Sequence, residues 1–369
     1  MKIICNKSNL LNGASIVSKA VPSKTTMPIL ECILIDASKD IIKLTANDMD
    51  LGIDTVIEGE IADPGIIALE AKLFLEIVRK LPDNDVIIET DQGLNTFITC
   101  EKANFHIVGK PADDFAYLPQ IERNNPIVIS QFSLKEIIRQ TIFSISDNDS
   151  NKMMGGELFE INEDVLKVVS LDGHRISIRN NTMKNAYDPA KVIVPGKTLL
   201  EISKILTGEA DKDVHIYFAQ KHIIFEFDQT VVVSRLIEGE YFKIDQMISS
   251  DYETKVTVNR KEFLSCIDRA TLMVKEGDKK PIIIDITDGS MDLRIQSTIG
   301  SMNEVLDIKK EGKDIMIGFN PKFLIDALKV IDDEEIDMYM VNPKAPCFIR
   351  DAENSYLYLI LPVNFNSMR

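Results

Sequence analysis

One local phrase is written three times in this chain at a constant interval, and that repetition limits the possible folds more than any other feature. The copies are Ala71-Lys72-Leu73-Phe74-Leu75-Glu76-Ile77, Gly196-Lys197-Thr198-Leu199-Leu200-Glu201-Ile202 and Pro321-Lys322-Phe323-Leu324-Ile325-Asp326-Ala327, so the aligned lysines lie two steps of 125 residues apart. A second phrase keeps nearly the same step: Asn9-Leu10-Leu11, Glu136-Ile137-Ile138 and Glu262-Phe263-Leu264. A period of this size exceeds the roughly 20 to 50 residues of a solenoid repeat and matches a whole domain. With 369 residues and 45% apolar content, each third can bury its own core. Polar stretches at Glu122-Arg123-Asn124-Asn125-Pro126 and Ser249-Ser250-Asp251-Tyr252-Glu253 break the pattern, which predicts domains over 1–126, 127–253 and 254–369.

Within each third the hydrophobic periodicity reads as helix, strands, helix, strands. In the first third, Asn6 is placed to cap a helix running toward Lys19, with Leu10, Leu11, Ala14 and Val17 on one stripe and Pro22 ending it. Strand-like runs follow at 29–35, 41–45 and 53–57, then a helix from Lys72 to Leu81 stopped by Pro82, then strands at 86–90 and 96–99. Ser133 and Asn259 are the matching caps in the other two thirds. The expected class is α+β: three tandem similar domains, each with two helices packed on β-sheets.

In the second helix of every copy a cation recurs seven residues after the aligned lysine: Lys72 and Arg79, Lys197 and Lys204, Lys322 and Lys329. Seven residues is close to two turns, so each pair shares one stripe. The neighbouring stripe (Phe74, Ile77, Val78; Leu199, Ile202, Ile205; Leu324, Ala327, Leu328) is apolar and should face a sheet. Any one pair could be a solvated helix face; recurrence at one offset argues for a shared basic surface. The chain as a whole is acidic, with 42 basic against 58 acidic residues and a net charge of −16. A polyanion would be repelled everywhere except along a surface that gathers the cations, and contact there would be weak, salt-sensitive and sequence-independent.

Several segments resemble the bacterial sliding clamps, the beta subunits of the replicative DNA polymerase. They are Met1-Lys2-Ile3, Met27-Pro28-Ile29-Leu30, Ser170-Leu171-Asp172-Gly173-His174-Arg175-Ile176, Val192-Ile193-Val194-Pro195, Ile317-Gly318-Phe319-Asn320 and Leu359-Ile360-Leu361-Pro362-Val363. The resemblance spans the whole chain. It implies the DNA-clamp fold and a head-to-tail homodimer whose six domains close into a ring around duplex DNA, with the helices lining the hole. The cation stripes, together with Lys24 and Asn148, would then face the DNA.

The same resemblance implies a partner-peptide groove between the second and third domains. Its positions here are Met154, Leu171, Gly173, His174, Arg175, Ile176, Phe242, Met247, Asn320, Phe323, Pro346, Ile360, Leu361, Pro362, Val363 and Phe365. Apolar side chains dominate, as pockets for Leu or Phe anchors of an extended peptide require, and Met154 and Met247 can adapt to varied sequences. Internal comparison points to the same place: the first copy fills this turn with Asn47-Asp48-Met49-Asp50-Leu51, and a specialised site is where copies should diverge. On spacing alone Asp172-Gly173 is a hairpin turn, His174 a hydrogen-bonded turn residue, and Tyr358-Leu359-Ile360-Leu361 an edge strand.

The chain departs from the family pattern in places. Tyr241-Phe242-Lys243-Ile244 stands where a Phe-Pro-Asp-Tyr-like segment is common, and Asn364 replaces a basic residue. At the expected subunit interface Thr298-Ile299-Gly300-Ser301-Met302-Asn303-Glu304 keeps one acid, with Lys102 the main cation opposite. The contact should therefore rest on Phe105 and Ile107 of one subunit against Leu272 and Met273 of the other, and depend weakly on salt.

Catalytic patterns fail on inspection. Gly196-Lys197-Thr198 resembles the end of a phosphate loop, but position 191 is Lys where Gly is needed, and the lysine is a repeat feature. Asp147-Asn148-Asp149-Ser150-Asn151 imitates a calcium loop, yet Lys152 and Leu158 stand where Gly and Glu are required. The four histidines and five cysteines show no metal-binding spacing. The chain is expected to be no enzyme, to hold no cofactor or metal, and to lie in the cytoplasm with no membrane role. The expected partners are duplex DNA, a second copy of the chain, the replicative polymerase subunit, a clamp loader and repair polymerases. An acidic adaptor that binds only proteins is the alternative.

Overall fold

The computed structural model describes residues 1–146, 151–275 and 280–365. Its six α-helices among these residues are α1 (Lys7–Val17), α2 (Ala71–Lys80), α3 (Gln131–Thr141), α4 (Gly196–Ile205), α5 (Arg260–Thr271) and α6 (Pro321–Val330). The starts of α2, α4 and α6, at 71, 196 and 321, reproduce the two steps of 125 residues. Asparagine side chains start three of the helices by accepting a first-turn N–H: Asn6 from Ser8, Asn259 from Glu262 and Asn320 from Lys322, each cap contributing about 1 kcal/mol. The α3 cap is Ser130, whose Oγ accepts from the Ser133 N–H at 3.1 Å. Ser133 is thus inside the first turn, and the helix begins three residues earlier than the sequence suggests.

The chain divides into two compact units, Met1–Leu134 with Leu200–Leu236, and Lys135–Leu199 with Ile237–Arg369. The first unit holds a five-stranded sheet in the order Glu60–Asp63, Lys2–Asn6, Asp85–Thr90, Asn95–Cys100, Ala103–Val108. It also holds an eight-stranded sheet in the order Ile127–Ser130, Asp213–Phe218, His222–Phe227, Thr230–Arg235, Leu51–Ile57, Ile42–Asn47, Cys32–Asp36, Ile66–Glu70. The strand from the middle third, Thr230–Arg235, pairs with Leu51–Ile57 of the first third in antiparallel register from Thr230 opposite Thr55 to Ser234 opposite Leu51. On α1 the buried stripe is Leu10, Gly13, Ala14 and Val17, and on α2 it is Ala71, Phe74, Ile77 and Val78. Gly13 lets α1 approach closely: a Cβ there would lie 2.4 Å from Ile57 Cγ2.

The second unit repeats the plan. Its seven-stranded sheet runs Gly156–Leu171, Arg175–Pro195, Tyr356–Ile360, Cys347–Arg350, Glu335–Met340, Thr254–Asn259, Lys309–Gly312, and its four-stranded sheet Ser301–Asp307, Ser290–Gln296, Ile282–Thr287, Ile315–Phe319. The junction between thirds is again one antiparallel pair, Arg175 opposite Ile360 through Arg179 opposite Tyr356. Phe263 and Cys266 of α5 and Leu324, Ala327 and Leu328 of α6 pack with Phe319, Met338, Tyr356 and Tyr358 in a continuous core, where each fully buried aromatic or leucine contributes about 2 kcal/mol.

Three further features differ from the sequence reading. Each opening helix is preceded by a short strand (Lys2–Asn6, Ile127–Ser130, Thr254–Asn259), too brief for periodicity to reveal. The run 29–35 is a 3₁₀ turn, Pro28–Glu31, followed by the strand Cys32–Asp36, because Pro28 fixes φ and has no N–H to give a ladder. The apolar stripe of α4 also ends one residue late: Leu206 is buried and Ile205 only half-buried.

Candidate partner groove and nucleic-acid interface

The groove positions collect around the hairpin turn between Gly156–Leu171 and Arg175–Pro195, within the second unit. Asp172 builds the turn: its Oδ1 accepts from the His174 and Arg175 N–H groups at 2.9 and 3.1 Å. Gly173 takes φ +86°, a conformation that favours glycine. Behind the turn Leu171 and Ile176 are buried in one cluster with Leu158, Tyr241 and Ile244, and Met154 and Phe242 pack against it half-buried. Met154 Cε comes within 4.0 Å of where a Gly173 Cβ would stand.

The other wall is the C-terminal segment and the start of α6. The Leu361 N–H donates to the His174 carbonyl at 2.8 Å, and the Val363 N–H to that of Gly318, also at 2.8 Å. Phe365 covers Gly318. Ile360 is buried, Leu361 is 39% exposed, and Pro362 and Val363 are half-buried. Phe323 presents its ring 6.0 Å from that of His174, and Asn320 is the α6 cap. Met247 is 48% exposed in the turn after Ile244, and Pro346 is half-buried ahead of the strand Cys347–Arg350. The arrangement is an apolar floor with exposed Met247, Leu361 and His174 at its rim, suited to an extended peptide with apolar anchors.

Arg175 has a different setting. Its side chain is only 7% exposed and is held by Asp172, 2.9 Å, and Asp326 of α6, 2.7 Å. Burial alone would pull its pKa down, but Tyr358, Asp326 and Asp172 around it push it above the usual arginine value. Its partners Asp172, Asp326 and Phe143 were not among the sequence candidates. Asp326 carried a signal, since it continues the repeat series Glu76, Glu201, Asp326.

Glu157, also missed, is fully buried, and neither carboxylate oxygen has a hydrogen-bond partner among the described residues. Burial raises its pKa to about 8, offset in part by the neighbouring Thr141 hydroxyl. The strand register shows its counterparts. Glu157 pairs with Val194, Ile33 with Leu69 and Ile282 with Phe319, and each of those partners lies two residues before its helix. The middle copy therefore has a carboxylate where both siblings carry a buried isoleucine.

All six helix cations are exposed, as is Lys24; Asn148 lies outside the described residues. Arg79 pairs with Glu76 at 2.6 Å and Lys204 with Glu201 at 2.7 Å along their own helices. Lys72, Lys322 and Lys329 have no ion pair among the described residues. At the expected subunit contact, Ala103–Val108 and Ser301–Asp307 are each the last strand of a sheet. Phe105 (38%), Val108 (69%), Val305 (58%) and Leu272 (71%) are exposed there, with Ile107 and Met273 half-buried and Lys102 exposed. Glu304, the one acid retained, is gripped by Arg269 of its own chain, whose Nε donates to Oε2 at 2.9 Å.

A cavity of about 680 Å³ lies in the first unit, lined in part by residues 117–123. Its cations are already paired, Lys43 with Asp54 and Arg123 with Glu226. Among the described residues no group of His, Cys, Asp and Glu could hold a metal ion, and no helix is long and apolar enough to cross a membrane. Burial pushes the Cys5 and Cys266 thiols up to about 12, with Asp85 and Glu304 adding to it, which disfavours thiolate chemistry.

Three family models match in tandem: the N-terminal domain of the DNA polymerase III beta subunit over residues 1–119, its central domain over 128–243 and its C-terminal domain over 245–364. The chain belongs to the DNA polymerase III beta subunit family. It is 34% identical to the beta sliding clamp of Bacillus subtilis, over 98% of this chain and 99% of that protein. Among solved structures, a DNA polymerase III beta subunit from Eubacterium rectale is 71% identical with a TM-score of 0.96, covering 99% of this chain and 100% of that one. The Bacillus subtilis sliding clamp is 34% identical with a TM-score of 0.95 over the same shares. The fold is three tandem clamp domains, and the family is a non-catalytic one, so the chain is an accessory protein of replication and not an enzyme.

Proposed function

We propose that two copies of this chain join head to tail as a ring around duplex DNA, that the ring gives the replicative polymerase its processivity, and that the groove at the 171–176 turn tethers partners to it. The domains would be 1–126, 127–253 and 254–369, and the setting the cytoplasm. The observation that carries this reading is the repeat itself: three second helices, 125 residues apart, each presenting two exposed cations at one offset in a chain of net charge −16. Two of these cations are already balanced by Glu76 and Glu201, so attraction to phosphate should be shallow and lateral movement easy. Encirclement, not affinity, would keep the protein on DNA.

The two open edges Ala103–Val108 and Ser301–Asp307 support self-association, since exposed edge strands carrying large apolar residues call for cover. Partners for the groove would be the replicative polymerase subunit, the clamp loader that opens the ring, and repair polymerases, each offering an apolar-anchored extended segment.

The deciding experiment is retention on circular against linear DNA. Loaded onto closed circles, the protein should stay through a wash at high salt and leave when the circle is cut once. Substituting Lys72, Arg79, Lys197, Lys204, Lys322 and Lys329 by Glu should shorten retention on the intact circle. Equal loss from intact and cut circles would favour the protein-binding adaptor instead.

A further inference from the structure

The turn at 171–176 has a counterpart in the first unit, and the strand registers locate it residue by residue. Asp48 closes that turn as Asp172 closes its own, its Oδ1 accepting from Asp50 and Leu51 N–H at 3.0 and 2.7 Å. Ser234 lies opposite Leu51 as Ile360 lies opposite Arg175, so Arg235, the next residue, stands where the groove has Leu361. His222 is opposite Arg235, and Cys347 is opposite Ile360, which puts His222 where the groove has Pro346. Met49 and Asp50 take the places of Gly173 and His174. A recess of about 250 Å³ stands here, lined by Met49, Asp50, Tyr117, His222 and Arg235 among others. It shares Tyr117, Leu118, Pro119 and Val233 with the cavity of about 680 Å³, so the two adjoin along the 117–123 segment.

The recess is built into the fold and lined for a different ligand. Its floor is fixed: Asn47 Nδ2 donates to the Ala116 carbonyl at 2.9 Å, and Leu118 fills the space that a Cβ at Gly52 would need. At its rim Met49 holds φ +78°, a conformation strained for a side chain but not for glycine. Met49 is nevertheless 53% exposed, as is Tyr117, so the strain is not offset by packing in the core. Arg235 is equally unspent. Among the described residues its guanidinium has one ion-pair partner, Asp50 at 3.8 Å, longer than a hydrogen bond, and its fork of donors suits a carboxylate. Burial, then Arg235 and Lys221, holds His222 below its ordinary pKa. The local field is therefore positive although the chain carries a net charge of −16. The other titratable groups lining the recess are Asp50 and Tyr117.

We propose that this recess is a second docking site, for an extended protein segment that sets one carboxylate against Arg235 and His222 and one apolar side chain against Met49 and Tyr117. The groove at 171–176 suits apolar anchors alone; this site pairs an acidic anchor with an apolar one, so the two would hold different partners on one chain. That the ligand is an extended segment rests on the groove reading above. The recess and its charges do not.

The chain contains no tryptophan, so a tryptophan in the ligand reports its own burial without background. The probe is a pool of heptapeptides with Glu-Trp at the centre and varied flanks, added to the full chain, with tryptophan emission and the His222 ring resonances recorded. Binding should move the emission to shorter wavelength and raise the His222 titration midpoint, because a carboxylate beside it favours the imidazolium. Arg235→Ala should weaken binding about tenfold, as should Gln for Glu in the peptide, with Arg235→Lys in between. Met49→Gly should weaken it about threefold while raising the thermal midpoint, a split that a purely structural role would not give. Leu361→Ala, which alters the groove, should leave it unchanged. A loss that follows Leu361→Ala and not Arg235→Ala would put the peptide in the groove and overturn the inference, as would no response to any member of the pool. Failure of the groove reading shows separately, as no binding of a peptide carrying only Leu and Phe anchors.

Discussion

The turns at 47–51 and 171–176 share a backbone and differ in almost everything else. Both are closed by an aspartate, both have a residue at positive φ, Met49 at +78° and Gly173 at +86°, and both offer a carbonyl to the strand beside them. Asp50 accepts from the Arg235 N–H as His174 accepts from Leu361, each at 2.8 Å. The side chains are exchanged. Where the second unit has glycine, a buried arginine and an exposed leucine, the first has an exposed methionine, a buried leucine and an arginine 3.8 Å from Asp50. Hydrogen bonds of the main chain maintain the scaffold in both, and a handful of substitutions decide whether an apolar recess or an ion-paired surface stands on it. The buried pair Glu157 and Ile33 extends the contrast into the core.

That core difference should give the largest effect. The folded pKa of Glu157, about 8, lies above its ordinary value of 4.5, so the stabilising contribution is complete below about pH 4.5 and is lost as pH rises to about 8, by roughly 5 kcal/mol at most. Glu157→Ile, which installs the sibling's residue, should flatten this slope and raise stability most at alkaline pH. Denaturant titrations at pH 5 and 8.5 measure it, and parallel slopes for the two chains would break the comparison.

A smaller effect is expected at the turns. Met49→Gly should relieve a left-handed backbone and stabilise by about 1 kcal/mol, and Gly173→Met should cost about the same. Thermal midpoints moving in opposite directions would sharpen the equivalence; movement in one direction would show that the side chains, not the backbone, dominate. Smallest of all, Arg235→Ala removes an exposed pair at 3.8 Å and should leave the midpoint within error. A clear drop would mean that this surface has a structural part to play.

Much of this was legible in the sequence. The 125-residue step, the caps Asn6 and Asn259 and the buried faces of α2 and α6 all follow from local pattern, because a helix or strand writes its own period, whereas the gathering of Met154, Leu171, Ile176 and Phe242 was implied by the family resemblance alone. The inward turn of Arg175 does not, since its partners Phe143 and Asp326 lie far away along the chain and a hairpin sequence is silent about direction. Glu304 is similar: its partner Arg269 is 35 residues earlier, and the resemblance implied an interfacial acid at a place where the chain supplies its own cation. Glu157 was not singled out in the sequence, and only the register with Val194 shows that its siblings are isoleucines.

The two junction ladders also bear on how the chain could be cut. Because Thr230–Arg235 is stitched to Leu51–Ile57 and Arg175–Pro195 to Tyr356–Ile360, the middle third completes neither of its sheets alone. Expressed by itself it would carry two raw strand edges, one of them lined by Ile176 and Ile178, and such edges recruit whatever strand comes near. What reads in the sequence as three equal copies is a chain whose central piece is completed by one strand from each neighbour.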